Sequence, residues 1–569
     1  NKNKRKKNKK KVQAQNDEEK NENENAAKEE KEEDKEDQEE EIDYGTASYC
    51  KMLYALVFYH ACVLERRKFG GIGWNIPYEW MASDLKTGVL QLQLYLPHVY
   101  DEEGMKISSY DTNQEYLNNV PFDAIQMMMG EINYGGRVTD KWDLRPVADI
   151  LGSLMCRALV DPTEKNYSLV PGSVTSSAKS MEGLDLKAYG VPAEATTREE
   201  MMAHVRNMPL LDDPRLFGLD TNANITCQLQ ESNELMDTIL SLSGGGGGGG
   251  EDDGAGDAAM QDLGDNILSM FPGIIDREEA HPDTFANDES GGPTALAVVL
   301  TWEVIRFNKL IGVVRSSTEE LLKALQGLVV MSSELEVASR DLQYQKVPSM
   351  WEAAAYPSLK PLGSWLTDLE QRIAFISGWM RDTRSNSSYW VSGLYFPQGF
   401  ITGVKQQYAR KTLTAIDRLK IRAHVVRNET NNDENVDLPQ NAPSHGVFIH
   451  GLFLQGAHWD QQGGNASAQV ASAQGIQFGG CLTDALPRVL FEGMPAMWLE
   501  PYDYESTKND KKQIQYFCPI YKTTTRAGQL STTGHSTNFI MPLDLTFAEG
   551  YEASHWVRRG VALIAQLDS

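Results

Sequence analysis

The chain has 569 residues, more than one hydrophobic core usually supports, so two or three domains with linkers are expected. Its formal net charge of −26 opposes bulk attraction to nucleic acid or to an anionic membrane, and neither is an expected partner. The six cysteines stand far apart with no CxxC pair, which excludes a dense disulfide framework and leaves reduced thiols.

Residues 1–43 divide into a basic block, Asn1 to Lys11, and an acidic block, Asp17 to Asp43. Almost nothing in either can be buried, so a disordered charged tail is predicted. No apolar stretch of signal-peptide type accompanies it, and secretion is not expected. Residues 44–190 read as a compact helical unit. It begins with a run from Tyr49 to Arg67 that is apolar almost all round, as a buried central helix should be. Within it Met52 to Leu64, the longest apolar run, has 13 residues, against roughly 20 needed to cross a bilayer. Leu85, Val89, Leu92 and Leu96 then recur at helical spacing, and Pro121 opens a stretch containing Ile125, Met128, Met129 and Ile132. Asp143 is expected to cap a fourth helix with Pro146 in its first turn.

Residues 191–430 read as a second, mainly helical domain carrying a glycine-rich insertion at 243–256. Seven consecutive glycines at 244–250 suggest a phosphate loop, but Glu-Asp-Asp follows them in place of Lys-Ser or Lys-Thr, so a flexible insertion is predicted. Helical periodicity runs from Pro293 to Arg381, broken at Lys346–Pro361. Ser317 and Glu320 have capping-box spacing ahead of Leu321 and Leu322. Leu362, Trp365, Leu369, Ile373, Ile376 and Met380 form one stripe, which predicts a core-facing helix. Residues 431–569 change to short alternating runs: Gly446 to Leu454, Arg488 to Phe491, Ala496 to Leu499, Ile514 to Lys522, Asn538 to Leu545 and Trp556 to Gln566. The fold class expected is α+β, with helical units followed by a small antiparallel β-barrel.

Groups that could carry chemistry are few. No GxxxxGK[ST] occurs, so no phosphate cradle is expected. His445, His450 and His458 with Cys481 could be argued as a zinc set, but strand alternation separates His445 from His450. Ser531 to Thr537 gather hydroxyls about His535, more in keeping with a hydrogen-bonded turn than with a triad. Glu65-Arg66-Arg67-Lys68 could bind phosphate, but is better read as cations complementing a helix C-terminus. No catalytic, cofactor-binding or metal-binding residue is assigned.

Particular strings say more. Glu65 to Gly70, Gly73-Trp74-Asn75-Ile76-Pro77-Tyr78-Glu79, and Asn133-Tyr134-Gly135-Gly136-Arg137-Val138-Thr139-Asp140 followed by Trp142-Asp143 resemble the lid of the sixth AAA+ module in dynein heavy chains. Tyr356-Pro357-Ser358-Leu359-Lys360-Pro361-Leu362, Gly446 to Leu452, Leu530 to Asn538 and Arg558-Arg559-Gly560-Val561-Ala562-Leu563 resemble the dynein C-terminal domain, closer to axonemal than to cytoplasmic heavy chains. Gly71-Ile72 and Trp80-Met81 depart from the family's usual Pro-Leu and Phe-Asn, which alters packing and turn stiffness. The tail, the glycine run and the 459–480 loop look like insertions.

The resemblance implies a non-catalytic segment that closes an AAA+ ring. The parent would be an ATP-driven, minus-end-directed microtubule motor of cilia or flagella, with ATP and Mg held in upstream modules. Partners would be the upstream ring modules and, through the parent, intermediate chains, light chains and microtubules. The location would be the cytoplasm and cytoskeleton, within the axoneme. The alternative is a non-motor binding scaffold that uses the terminal β-domain.

Overall fold

Helix α1 (Ala47–Glu65) is buried on nearly every side, with Met52, Ala55, Leu56, Tyr59 and Val63 all at 0% exposure. This is the consequence of its all-round apolar sequence. Around it pack α2 (Ala82–Tyr95), α3 (Phe122–Gln126) with a π-helical continuation Met127–Tyr134, α4 (Lys141–Leu154) and α5 (Arg157–Val160). The structure is a computed structural model that describes residues 47–96, 120–161, 167–173, 181–191, 198–210, 212–244, 253–271, 273–288, 291–381, 388–427, 443–463, 476–505, 515–529 and 536–568. The tail at 1–43 lies outside the described residues. No helix among those described is long and apolar enough to cross a membrane.

Asp143 does not cap α4. The helix begins at Lys141, and the side chain of Asp140 accepts from the Trp142 amide at 2.7 Å. Asp143, the third residue of the helix, points inward to a different task, and Pro146 falls in the second turn. Farther on come α6 (Arg198–Arg206), α7 (Ala223–Gly244) and α8 (Asp253–Met270). Of the glycine-rich tract 243–256, residues 245–252 lie outside the described residues, while its ends finish α7 and begin α8.

Helix α9 (Ala295–Leu325) runs unbroken for 31 residues, so the capping box expected at Ser317 and Glu320 does not form. Ser317 bonds back to the carbonyl of Val313 at 2.8 Å and accepts from the Trp351 indole at 2.8 Å. Serine caps a helix only where the backbone enters from outside, and here the apolar stripe continues through it. Then follow α10 (Ser333–Gln343), α11 (Ser349–Glu352), α12 (Leu362–Arg381) and α13 (Pro397–Thr412). The predicted stripe of α12 is buried throughout.

Strands β1 (Ser388–Trp390), β3 (Val447–His450), β8 (Met497–Asp503) and β2 (Leu419–Val425) form one sheet in that spatial order. The second sheet is ordered β10 (Phe539–Thr546), β9 (Gln515–Thr523), β11 (Ala562–Gln566), β4 (Phe453–Gln455) and β7 (Phe491–Gly493). Strands β5 (His458–Asp460) and β6 (Cys481–Thr483) pair separately. The fold is α+β, but the sheets among the described residues stay open and no closed barrel forms. Nor is the pairing purely antiparallel, because β1 joins β3 and β11 joins β9 in parallel.

The run Trp556 to Gln566 divides at Gly560 into a short helix α14 (Ala553–Arg558) and β11. Gly560 has φ +62°, and a Cβ there would lie 2.3 Å from the carbonyl oxygen of Ile72, so glycine is required on both counts. One core, including Phe307, Trp365, Ile376, Phe400, Leu499, Ile520, Trp556 and Leu563, unites α8–α13 with both large sheets. It crosses residue 430, where helical and β-rich domains were expected to part, and β1 and β2 arise on the helical side of that point.

Candidate interdomain joint

Between the core around α1 and the core around the sheets lies a buried polar layer. Arg66 is its centre. Helix α1 stops at Glu65, and a 3₁₀ turn, Arg66–Ile72, sends the Arg66 side chain inward to 0% exposure. Its Nε and Nη2 donate to the Gly73 carbonyl at 3.2 and 3.1 Å. Nη1 donates to the carbonyls of Phe217 and, at 3.0 Å, of Arg558. The guanidinium also stands 4.9 Å from the centre of the Trp74 ring. Burial pulls its pKa down to about 10 against the opposing influence of Asp143, so it remains a cation at neutral pH.

Trp74 is 3% exposed, donates its indole N–H to the Val63 carbonyl at 3.0 Å and packs against Tyr78 and Trp80. The Gly73–Glu79 string is thus pinned into the helical unit. The Asp143 carboxylate receives the amides of Asn75 and Ile76 at 3.0 and 3.2 Å and the Tyr78 hydroxyl at 2.9 Å. Burial pushes its pKa up to about 7, with Asp140 adding to the rise and the bonds from Asn75, Tyr78 and Ile76 opposing it.

Several links cross from this layer to the β-rich end. Asn75 donates to the Tyr521 hydroxyl at 2.9 Å, and Arg145 to the Phe517 carbonyl at 3.0 Å. Arg558 pairs with Asp149 at 2.8 Å, and Arg559 with Asp220 at 2.8 Å and Asp484 at 3.3 Å. Asn222 clips the loop before β7. Its amide donates to the carbonyls of Leu486 and Val489 at 2.8 and 3.1 Å and accepts from the Arg488 amide at 2.9 Å. That loop holds Arg488 at φ +65°, a left-handed conformation costly for a residue with a Cβ.

Two family models match the sequence: the AAA lid domain of the dynein heavy chain over residues 49–223, and the C-terminal domain of the dynein heavy chain over residues 229–565. The chain belongs to the dynein heavy chain family. The joint therefore lies between lid and C-terminal domain of a dynein heavy chain. Among relatives, dynein axonemal heavy chain 3 of Homo sapiens is 38% identical over 525 residues, which is 91% of this chain and 11% of the relative. Dynein axonemal heavy chain 12 of Mus musculus is 36% identical over 520 residues, covering 91% and 14%, respectively. Dynein axonemal heavy chain 1 of Homo sapiens is 37% identical over 522 residues, covering 91% and 10%. The protein thus corresponds to the C-terminal segment of axonemal dyneins and spans between 10% and 14% of these relatives' lengths.

The strings that carry the dynein resemblance converge on the joint. Arg66, Trp74 to Tyr78, Asp140, Trp142, Asp143, Arg558, Arg559 and Gly560 all come from them. Arg66 neither serves the helix C-terminus nor lies open to a phosphate, because its donors are taken by carbonyls. Asp149, Asp220, Asn222 and Arg526 lie outside those strings, and no local pattern marks them.

The histidines do not meet. His445 is bonded to Glu500 at 3.2 Å, His450 to Ser388 at 2.8 Å and His458 to Glu492 at 2.7 Å. Among the described residues no group of three or more His, Cys, Asp or Glu is arranged to hold a metal. His535 lies outside the described residues, whereas buried Ser536 and Asn538 tie the end of that loop to Thr523 and Arg526.

Proposed function

We propose that this protein is the C-terminal, non-catalytic end of an axonemal dynein heavy chain. The parent would be an ATP-driven, minus-end-directed microtubule motor acting in the axoneme of a cilium or flagellum. Nucleotide and Mg would be handled in upstream AAA+ modules, and intermediate chains, light chains and microtubules would be engaged through other parts of the parent. Here the lid closes the ring, the C-terminal domain stiffens it, and the joint carries mechanical coupling between them.

The observation that carries this reading is Arg66. One side chain gathers the carbonyls of Gly73, Phe217 and Arg558, so relative movement of lid and C-terminal domain breaks buried hydrogen bonds. A joint of this kind transmits a shift between packed bodies without a reacting group. A scaffold module with an independent β-domain has no use for it.

The test is Asn222→Ala in the full-length heavy chain, which cuts three bonds across the joint at a site remote from the upstream nucleotide modules. Basal ATP turnover should persist while microtubule-stimulated turnover and gliding velocity fall. Unchanged velocity and stimulation with the clip removed refute the coupling role. The isolated 569-residue protein should show no saturable ATP binding, and micromolar affinity would overturn its non-catalytic assignment.

A further inference from the structure

The cleft at the joint is lined by Arg66, Arg145, Arg526, Trp142, Asp143 and Tyr521, among others. Three guanidiniums thus share it with one carboxylate. Arg66 and Arg526 are 0% and 3% exposed, and none of the three forms an ion pair among the described residues, in contrast to neighbouring Arg558 and Arg559. Arg526 donates Nη2 to the Gln455 side chain at 2.7 Å, but its Nε is buried with no partner. The Nε of Arg145 and the indole nitrogen of Trp142 are also buried without partners. Every orphaned side-chain polar atom among the lining residues is therefore a donor. Asp143 is bonded to Asn75, Ile76 and Tyr78 and to none of the three guanidiniums, so it counters Arg66 and Arg526 only through space.

We infer that this cleft binds one small inorganic anion of halide size, seated against Arg526 Nε between lid and C-terminal domain. Its space suits roughly one water-sized body, which excludes nucleotides and larger oxyanions. A water could accept one or two of these bonds but would bring no charge to balance three guanidiniums against the one carboxylate. A monovalent anion satisfies the donors and the charge together. The protein's overall charge of −26 repels anions, so the local guanidiniums alone favour occupancy. The ion would act as a removable pin in the joint, independent of the motor reading.

The experiment is thermal melting of the full 569-residue protein in sodium chloride, bromide or gluconate at constant ionic strength. Chloride and bromide should raise the melting temperature saturably by about 2–4 °C over gluconate, as a ligand bound to the native state does. Arg526→Gln should abolish the difference, which separates the site from general salt effects. Identical melts of the wild-type protein in chloride and gluconate overturn the proposal. Should Arg526→Gln fail to fold, bromide-soaked wild-type crystals decide. An anomalous peak within hydrogen-bond reach of Arg526 Nε supports the site, while peaks only on the outer surface, an adventitious ion only, sink it.

Discussion

Of the arginines buried among the described residues, Arg66 and Arg372 are held in opposite ways. Arg372, inside the C-terminal domain, lies 2.6 Å from the Asp368 carboxylate and 3.8 Å from the centre of the Tyr356 ring. Tyr356 donates to the same carboxylate at 2.8 Å, and Gln566 of β11 lies 3.4 Å from the guanidinium. That network carries its counter-charge within one core, where Lys360 also stands 3.5 Å from Asp368. Among the described residues Arg66 has no carboxylate bonded to it and is held by backbone carbonyls from three segments. A carboxylate neutralises a buried cation locally, whereas carbonyls bind it only while the segments that bear them stay in register. The first arrangement stabilises a domain, and the second reports on the fit between two.

The largest effect should come from removing the counter-charge at the neutralised site. Asp368→Ala leaves Arg372 buried without its partner and should cost about 3–5 kcal/mol in chemical denaturation. A loss under about 1 kcal/mol, the usual worth of a solvent-exposed pair, would mean water reaches Arg372 and the site is not closed. Arg66→Met should cost on the order of 3 kcal/mol, since it leaves three carbonyls without their donor at about 1 kcal/mol each, the low end for a buried unpaired group. Its distinctive sign is a second transition as lid and C-terminal domain unfold separately. A single, merely shifted transition would show that Arg66 does not differ in kind from Arg372.

The smallest step concerns pH. Asp143 has a folded pKa of about 7 against an unfolded value of about 4. The native state therefore holds this proton more tightly than the unfolded state does. The stability it contributes is full below about pH 4 and is lost as pH rises toward about 7, by at most about 1.4 kcal/mol per unit. Asp143→Asn should flatten that part of the stability profile, and an unaltered slope would show that Asp143 is already ionised in the acid range.

Local patterns were legible where the physics was local. The α12 stripe could be read because its burial follows from helical spacing alone. The same spacing misled at Ser317, where a serine followed by glutamate resembles a cap although the apolar face runs straight through α9. Arg66 was opaque for another reason, since its partners Phe217 and Arg558 stand 151 and 492 residues away. Nothing in Glu65-Arg66-Arg67-Lys68 distinguishes the buried guanidinium from its exposed neighbours. The β-rich end was legible as strands but not as topology, because parallel pairing of β1 with β3 and β11 with β9 depends on crossovers rather than on alternation.

Strand β11, the last in sequence, lies in the interior of its sheet, between β9 and β4. A nascent polypeptide growing from the ribosome must therefore keep both of those edges unpaired until Ala562–Gln566 has emerged. Premature termination upstream of Ala562 would not trim an edge but split the sheet and leave two sticky margins open to other polypeptides. The same late strand brings Gln566 to Arg372 and follows directly on Gly560, so its arrival completes the C-terminal core and the seat beside Ile72 in one event.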